Sequence, residues 1–224
     1  MNTRIEYPLK AAQNDKDWSN GSLTVITGYN MAGCSLFLKN EHENDLSYKA
    51  AGNVRNRSVV YITPECIIND KPSEATESLE SDGVEIMDIA NEIDSLLSGI
   101  KDNGEFGVRT FRKLQSFIRS GILGTHSILV WDGVENFLHP EWQVIMTKLL
   151  IRCVKSGMHI RATTFSPYIV QGFRFFSHRY NVSPVYLLLK MDENGQESVH
   201  AVTHDLNQIF TMFALPLNRI INIE

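Results

Sequence analysis

Two stretches of this chain hold residues of the right types, at the right spacing, to handle phosphate. The first is Gly28-Tyr29-Asn30-Met31-Ala32-Gly33-Cys34-Ser35, which follows the β-branched run Leu23 to Thr27 and opens a further apolar segment. Glycines in a strand-to-helix turn let backbone N–H groups converge on phosphate oxygens at the helix N-terminus. The working form of such a loop is G-x-x-x-x-G-K-[ST], whose lysine reaches the outer phosphates and whose hydroxyl holds magnesium. Here Ser35 keeps the hydroxyl position, but Cys34 stands where the lysine belongs, and a neutral thiol does not supply its charge. The second stretch is Ser127 to Trp131 followed by Asp132, an apolar run ending in a carboxylate. A carboxylate at the end of a buried strand is placed to hold a cation, so Ser35 and Asp132 are the magnesium candidates. Each stretch also has a plain structural reading: a glycine-containing turn without a ligand, and ordinary strand-end acids.

The elements that must position these groups alternate along the chain. Period and turn chemistry predict strands over Leu23–Thr27, Ser58–Thr63, Ser127–Trp131, His159–Thr163, Val185–Met191 and Ser198–Thr203. Helices are predicted over Cys34–Lys39, Val84–Leu97, Arg109–Arg119, Glu141–Lys155 and Pro167–Phe176, with a last one capped by Asp205 and running to Phe213. In the Val84 helix Ile86, Ile89, Ala90, Ile93 and Leu97 share one face. Asn40 to Arg57 reads as a polar connection and Asn69 to Asp82 as an acidic exposed loop, while Asn194-Gly195 marks a hairpin turn. Such alternation predicts an α/β fold with a mainly parallel sheet flanked by helices. Its 224 residues suit one domain over 1–224.

Composition narrows the classes further. With 43% hydrophobic and 21% charged residues, the chain has enough apolar material for a sizeable core. A formal net charge of -5 argues against a strongly basic nucleic-acid binder. No apolar run reaches the roughly 20 residues that span a bilayer, and the first residues lack the apolar centre of a signal peptide. Cys34, Cys66 and Cys153 are odd in number and form no C-x-x-C pair. A reducing cytoplasm is therefore expected, with no membrane partner.

The segment SILVWDGVENFLHPEWQ is the most specific in the chain. It resembles the D-E-P-E-x-x-L-H-P stretch of ABC-type ATPases of the RecF, OLD and Septu kind, with Asp132, Glu135, Leu138, His139 and Pro140 in the matching places. HIRATTFSPY, His159 to Tyr168, is similar to that family's apolar strand and T-T-H-S-P-Y switch. Asn30 fits its G-x-N-x-x-G-K-S phosphate loop. The likeness covers roughly Leu23 to Ser177 and implies a P-loop NTPase-like sheet, here with an added C-terminal hairpin and helix. It also implies nucleotide-binding positions at Gly28, Asn30, Gly33, Cys34, Ser35 and Asp132.

Departures from that family fall where its chemistry happens. The lysine is Cys34, the glutamate that would polarise water is Gly133, and the switch histidine is Phe165. The serine-glycine signature has Phe106-Gly107 as its best counterpart, without the serine. The lost groups stabilise phosphoryl charge and orient water. The resemblance thus implies a pseudo-ATPase with no catalytic residues of its own and no cofactor expected, taking ATP and magnesium only if the phosphate loop still works. Its role would be regulatory or scaffolding, in bacterial anti-phage defence or a phage counter to it. Family heads pair face to face, so the expected partner is a protein head or a second copy, with Asn136, His139 and Trp142, alongside Met146, as contact residues, although Trp142 is equally suited to pack against the sheet. The alternative is a divergent ATPase in DNA repair or defence that hydrolyses ATP with a partner's groups.

Other residue groups have an ordinary role beside each functional one. His200 and His204 fall in a strand-like run, where their spacing does not converge them on zinc. Arg109, Arg112, Lys113 and Arg119 form a basic helix stripe that fits nucleic acid weakly and a solvated face better. Phe173, Phe175, Phe176 and Tyr180, interleaved with Arg174, His178 and Arg179, read mostly as core or interface packing. Cys34 at a helix N-terminus would have a lowered thiol pKa, the condition for a redox sensor.

Overall fold

In the computed structural model the described residues are 20–29, 33–50, 58–64, 83–100, 106–192 and 197–221. They form, in chain order, β1 (Ser22–Gly28), α1 (Cys34–Ala50), β2 (Val59–Ile62), α2 (Gly83–Leu97), α3 (Phe106–Arg119), β3 (Ile128–Trp131), α4 (Pro140–Lys155), β4 (His159–Thr163), α5 (Pro167–Tyr180), β5 (Val185–Met191), β6 (Glu197–Ala201) and α6 (Asn207–Ile221). The strands make one sheet in the order β2-β3-β4-β1-β5-β6. All its pairings are parallel except β5 with β6. The expected mainly parallel α/β architecture is present.

Alternation along each strand splits the interior into two cores. Leu23 and Val25 of β1, Leu129 and Trp131 of β3, and Tyr186 and Leu188 of β5 face one side, where they meet α2 to α6. Ile26, Ile128, Val130, Leu187 and Leu189 face the other, under Cys34, Phe37 and Leu38 of α1. Burying one such side chain is worth about 1.5–3 kcal/mol, so both faces of the sheet need their cover. All five residues assigned to the apolar face of α2 are buried.

The connections place a crevice at the middle of the sheet. From β1 the chain passes through α1 to the far edge strand β2, whereas from β4 it passes through α5 across β1 to β5. Adjacent parallel strands whose connections leave in opposite directions open a cleft outside their carboxyl ends, where ligands of such sheets bind. Here those strands are β1 and β4, paired Val25 to Ala162 and Ile26 to Thr163.

The largest departures from the expected boundaries are at two helices, while α3 starts three residues earlier and α5 ends four residues later than expected. The polar stretch after Lys39 continues α1 as far as Ala50 instead of forming a connection. The last helix runs past Phe213 to Ile221 with Pro216 inside it. Asn30, the acidic stretch 69–82, Cys66 and the turn at Asn194-Gly195 lie outside the described residues. Among the described residues no helix is long and apolar enough to cross a membrane.

Candidate functional site at the carboxyl end of the sheet

The sheet order brings the sequence's two phosphate-type stretches together. β1 ends at Gly28, and Gly33, with a φ of 69°, turns the chain into α1. Its carbonyl accepts the N–H of Phe37 at 2.8 Å, which closes the first helical turn. One strand beyond β4, β3 ends in Asp132, whose N–H donates to the Ile62 carbonyl at 2.9 Å. Ser35 Oγ donates to Asp132 Oδ1 at 3.0 Å across 97 residues of sequence. Thr163 Oγ1 donates to the same oxygen and accepts the Gly133 N–H at 2.8 Å. The buried Asp132 carboxylate is therefore already engaged by three hydroxyls, the third being that of Tyr61, which donates to Oδ2 at 3.5 Å.

The thiol of Cys34 lies inside the protein at 4% exposure. Its sulfur is 2.9 Å from where a Cβ on Gly28 would stand, so the side chain folds back against β1. Burial, then the nearby Asp132 carboxylate and, more weakly, that of Glu197, push its pKa up to about 12, against a smaller lowering by its own backbone hydrogen bond. This overturns the expectation of a lowered thiol pKa: at this helix start burial and two carboxylates outweigh the helix terminus, and the thiol stays protonated and unreactive near neutral pH. Glu197, from β6, was not singled out from the sequence. Its Oε1 is 2.6 Å from the position of a Cβ on Gly33, so a carboxylate stands at the mouth of the loop. A site residue carried in by an antiparallel edge strand leaves no local motif.

The turn after Asp132 is closed to a longer side chain at its second residue. Gly133 has a φ of 72°, and a Cβ there would meet Asn136 Nδ2 at 2.3 Å. The same Nδ2 donates to the Pro64 carbonyl at 3.0 Å, and the Asn136 N–H donates to the Gly133 carbonyl at 3.0 Å. Asn136 thus holds the turn together, which makes it a poor probe of an outer surface. Glu135 Oε1 accepts the Phe165 N–H at 2.7 Å, and the Thr164 hydroxyl also acts on this carboxylate. Burial raises its pKa above the ordinary value, partly offset by that N–H.

The two motif ends that follow are helix starts. His139 caps α4 by accepting the Glu141 N–H at 3.4 Å, with Pro140 in the first turn. Ser166 caps α5 by accepting the Tyr168 N–H at 3.2 Å, again with proline next. Gln143 joins the two starts, accepting from Ser166 Oγ and donating to the Leu138 carbonyl at 2.9 Å. Trp142 is half-buried against the core and edge-on to Phe111 at 4.9 Å, which fits its packing role, and Met146 is fully buried and not available for contact as expected. The rings exposed at this end of the sheet are instead Phe137 at 52% and Phe165 at 49%. Phe137, at a φ of 63°, stacks on Phe106 with ring centroids 4.7 Å apart, and Gly107 backs onto the Phe137 carbonyl. The Phe106-Gly107 pair therefore adjoins the Asp132 turn of its own chain. Beside the mouth of the loop a cavity of about 440 Å³ is bounded by Gly28, Tyr29, Phe165, Met212, Phe213 and Arg219, among others.

Among the described residues no group of three His, Cys, Asp or Glu side chains converges as a metal site. The arrangement defines an α/β protein with a mainly parallel sheet and a polar cluster at its central cleft. The chain matches no protein-family model and no curated protein sequence.

Proposed function

We propose that the chain is a degenerate ABC-type ATPase-like protein, a pseudo-ATPase that acts as a regulatory or scaffolding subunit through protein contacts. The observation that carries this reading is the electrostatics of the loop mouth. Where a nucleotide-hydrolysing loop presents an ammonium to the triphosphate, this one presents a buried neutral thiol between the carboxylates of Asp132 and Glu197. Like charges so close disfavour a polyphosphate by Coulomb repulsion. Support also comes from Gly133, whose left-handed conformation strains any other residue and where a Cβ would have to displace Asn136. The cytoplasm, and a setting of anti-phage defence or its counter, belong to the same proposal. One observation favours the second reading, a divergent ATPase: Ser35 and Asp132 are in contact, as a magnesium-holding pair would be.

Thermal denaturation separates the two. Millimolar Mg-ATP is expected to leave the melting temperature unchanged. A ligand at about 100 times its Kd adds roughly 2.7 kcal/mol, a rise of at least about 5 °C for a chain of this size. A rise that large favours the divergent ATPase.

The contact face is the carboxyl end of the sheet, with Phe137 and Phe165 as its anchors, and the partner is a second copy or another such head. Exposed aromatic rings are enriched at the centres of interfaces. Phe137→Asp and Phe165→Asp are each expected to convert the associated form to monomer in sedimentation velocity while circular dichroism stays unchanged. Aspartate tolerates the left-handed backbone at position 137, so folding is preserved there. Association untouched by both substitutions removes this face from the proposal.

A further inference from the structure

The outer face of α5 carries a cluster that neither the loop nor the proposed contact face uses. Ile169, Val170, Phe173 and Ser177 turn inward, which leaves Gln171, Arg174, Phe175, His178 and Arg179 together on the solvent side. These five residues border a concavity of about 620 Å³. The sequence of α5, PYIVQGFRFFSHRY, contains no carboxylate. None of Arg174, His178 and Arg179 forms an ion pair with another described residue. In a chain of net charge -5 this helix face is a local excess of positive charge. Between the two guanidinium groups sits Phe175, 57% exposed, held edge-to-face by half-buried Phe176 at 5.1 Å. Only part of the aromatic run of α5 is core: Phe173 is buried and Phe176 and Tyr180 pack against it, whereas Phe175 is not covered.

We infer that this face binds single-stranded nucleic acid, with Phe175 stacking on a base and Arg174, Arg179 and His178 holding the phosphates on either side. Phe175 and Arg179 are four residues apart and so neighbours on the helix, and Arg174 borders the same concavity, so the ring and both guanidinium groups reach one strand together. Charge complementarity selects a polyanion, and the exposed ring selects one with free flat faces. A duplex hides its base faces in the stack, and an acidic peptide meets the cations without engaging the ring. The face begins roughly two helical turns from Ser166 and stands whether or not the phosphate loop binds nucleotide.

The test is fluorescence anisotropy of the full chain with a labelled oligothymidylate of about 20 nucleotides at low salt. Saturable binding is expected, with log K falling against log salt at a slope of about -1.4 to -2.1 for two or three phosphate contacts. Phe175→Ala is expected to weaken binding roughly 5- to 150-fold. Phe175→Leu, which keeps the apolar contact with Phe176 but not the ring, should weaken it similarly. Arg174→Glu combined with Arg179→Glu should abolish it, with an unchanged melting temperature because both side chains are exposed. Absence of binding, or binding that survives the double charge reversal, overturns the inference. So does equal affinity for duplex of the same length with Phe175→Ala silent. Displacement by polyglutamate as effective as by unlabelled oligonucleotide, again with Phe175→Ala silent, assigns the face to an acidic protein instead.

Discussion

Gly133→Glu, which returns the water-orienting carboxylate of ABC-type ATPases, is expected to lower the melting temperature by about 2–12 °C and to yield no ATP turnover. A non-glycine residue held in a left-handed conformation costs about 1–3 kcal/mol, and a chain of this size loses about 2–4 °C per kcal/mol. The new Cβ also falls 2.3 Å from Asn136 Nδ2 and displaces it from the Pro64 carbonyl. That pushes the loss toward the upper end of the range. Differential scanning calorimetry of the variant beside the parent checks it. A melting temperature equal to the parent's means that the turn relaxes at no cost and that the position is open to the family's glutamate.

Cys34→Lys is expected to hydrolyse ATP at less than about a thousandth of an ordinary kcat of about 10 s⁻¹. The introduced ammonium would have Asp132 and Glu197 as counter-charges, so the variant should fold. Those carboxylates also hold the ammonium back from any phosphate. Gly133 and Phe165 still leave the reaction without groups that orient water and stabilise charge, each worth about 10²–10³ in rate. Groups that act as a unit do not return activity one at a time. A coupled ATPase assay that finds ordinary turnover in this single variant defeats the pseudo-ATPase reading.

Much of the frame was legible because buried parallel strands announce themselves. β4 and β5 have the boundaries read from their β-branched and apolar runs, and α2 buries the five residues its period assigned. The far end of α1 was not legible: Asn40, Glu41, His42, Glu43 and the residues after them show no apolar period, yet the helix continues. Pro216 and the exposed Leu217, Ile220 and Ile221 likewise gave α6 no readable end, since a proline ordinarily stops a helix. At the site, the meeting of Ser35 with Asp132 followed from two strand ends and a sheet order that the alternation permitted. Glu197 did not follow, because only the β5–β6 pairing carries it to Gly33. The direction of the Cys34 shift was read from the helix terminus alone. Its burial under Phe37 and Leu38 and its carboxylate neighbours are properties of the assembled sheet.

The central place of β1 has a cost that is paid in time. Ser22 pairs with His159, a separation of 137 residues, and the other neighbour of β1, β5, is synthesised later still. At roughly 5–20 residues per second, a ribosome exposes the strand SLTVITG for about 7–27 s before its first partner exists. Until then β1 has an unpaired backbone on both edges and apolar side chains on both faces, a condition that invites strand addition by other chains. The nascent protein is therefore expected to be more prone to aggregation before β4 and β5 emerge than its finished sheet suggests. Pairings over so long a stretch of chain also slow folding, because the loop must close before the contacts reward it.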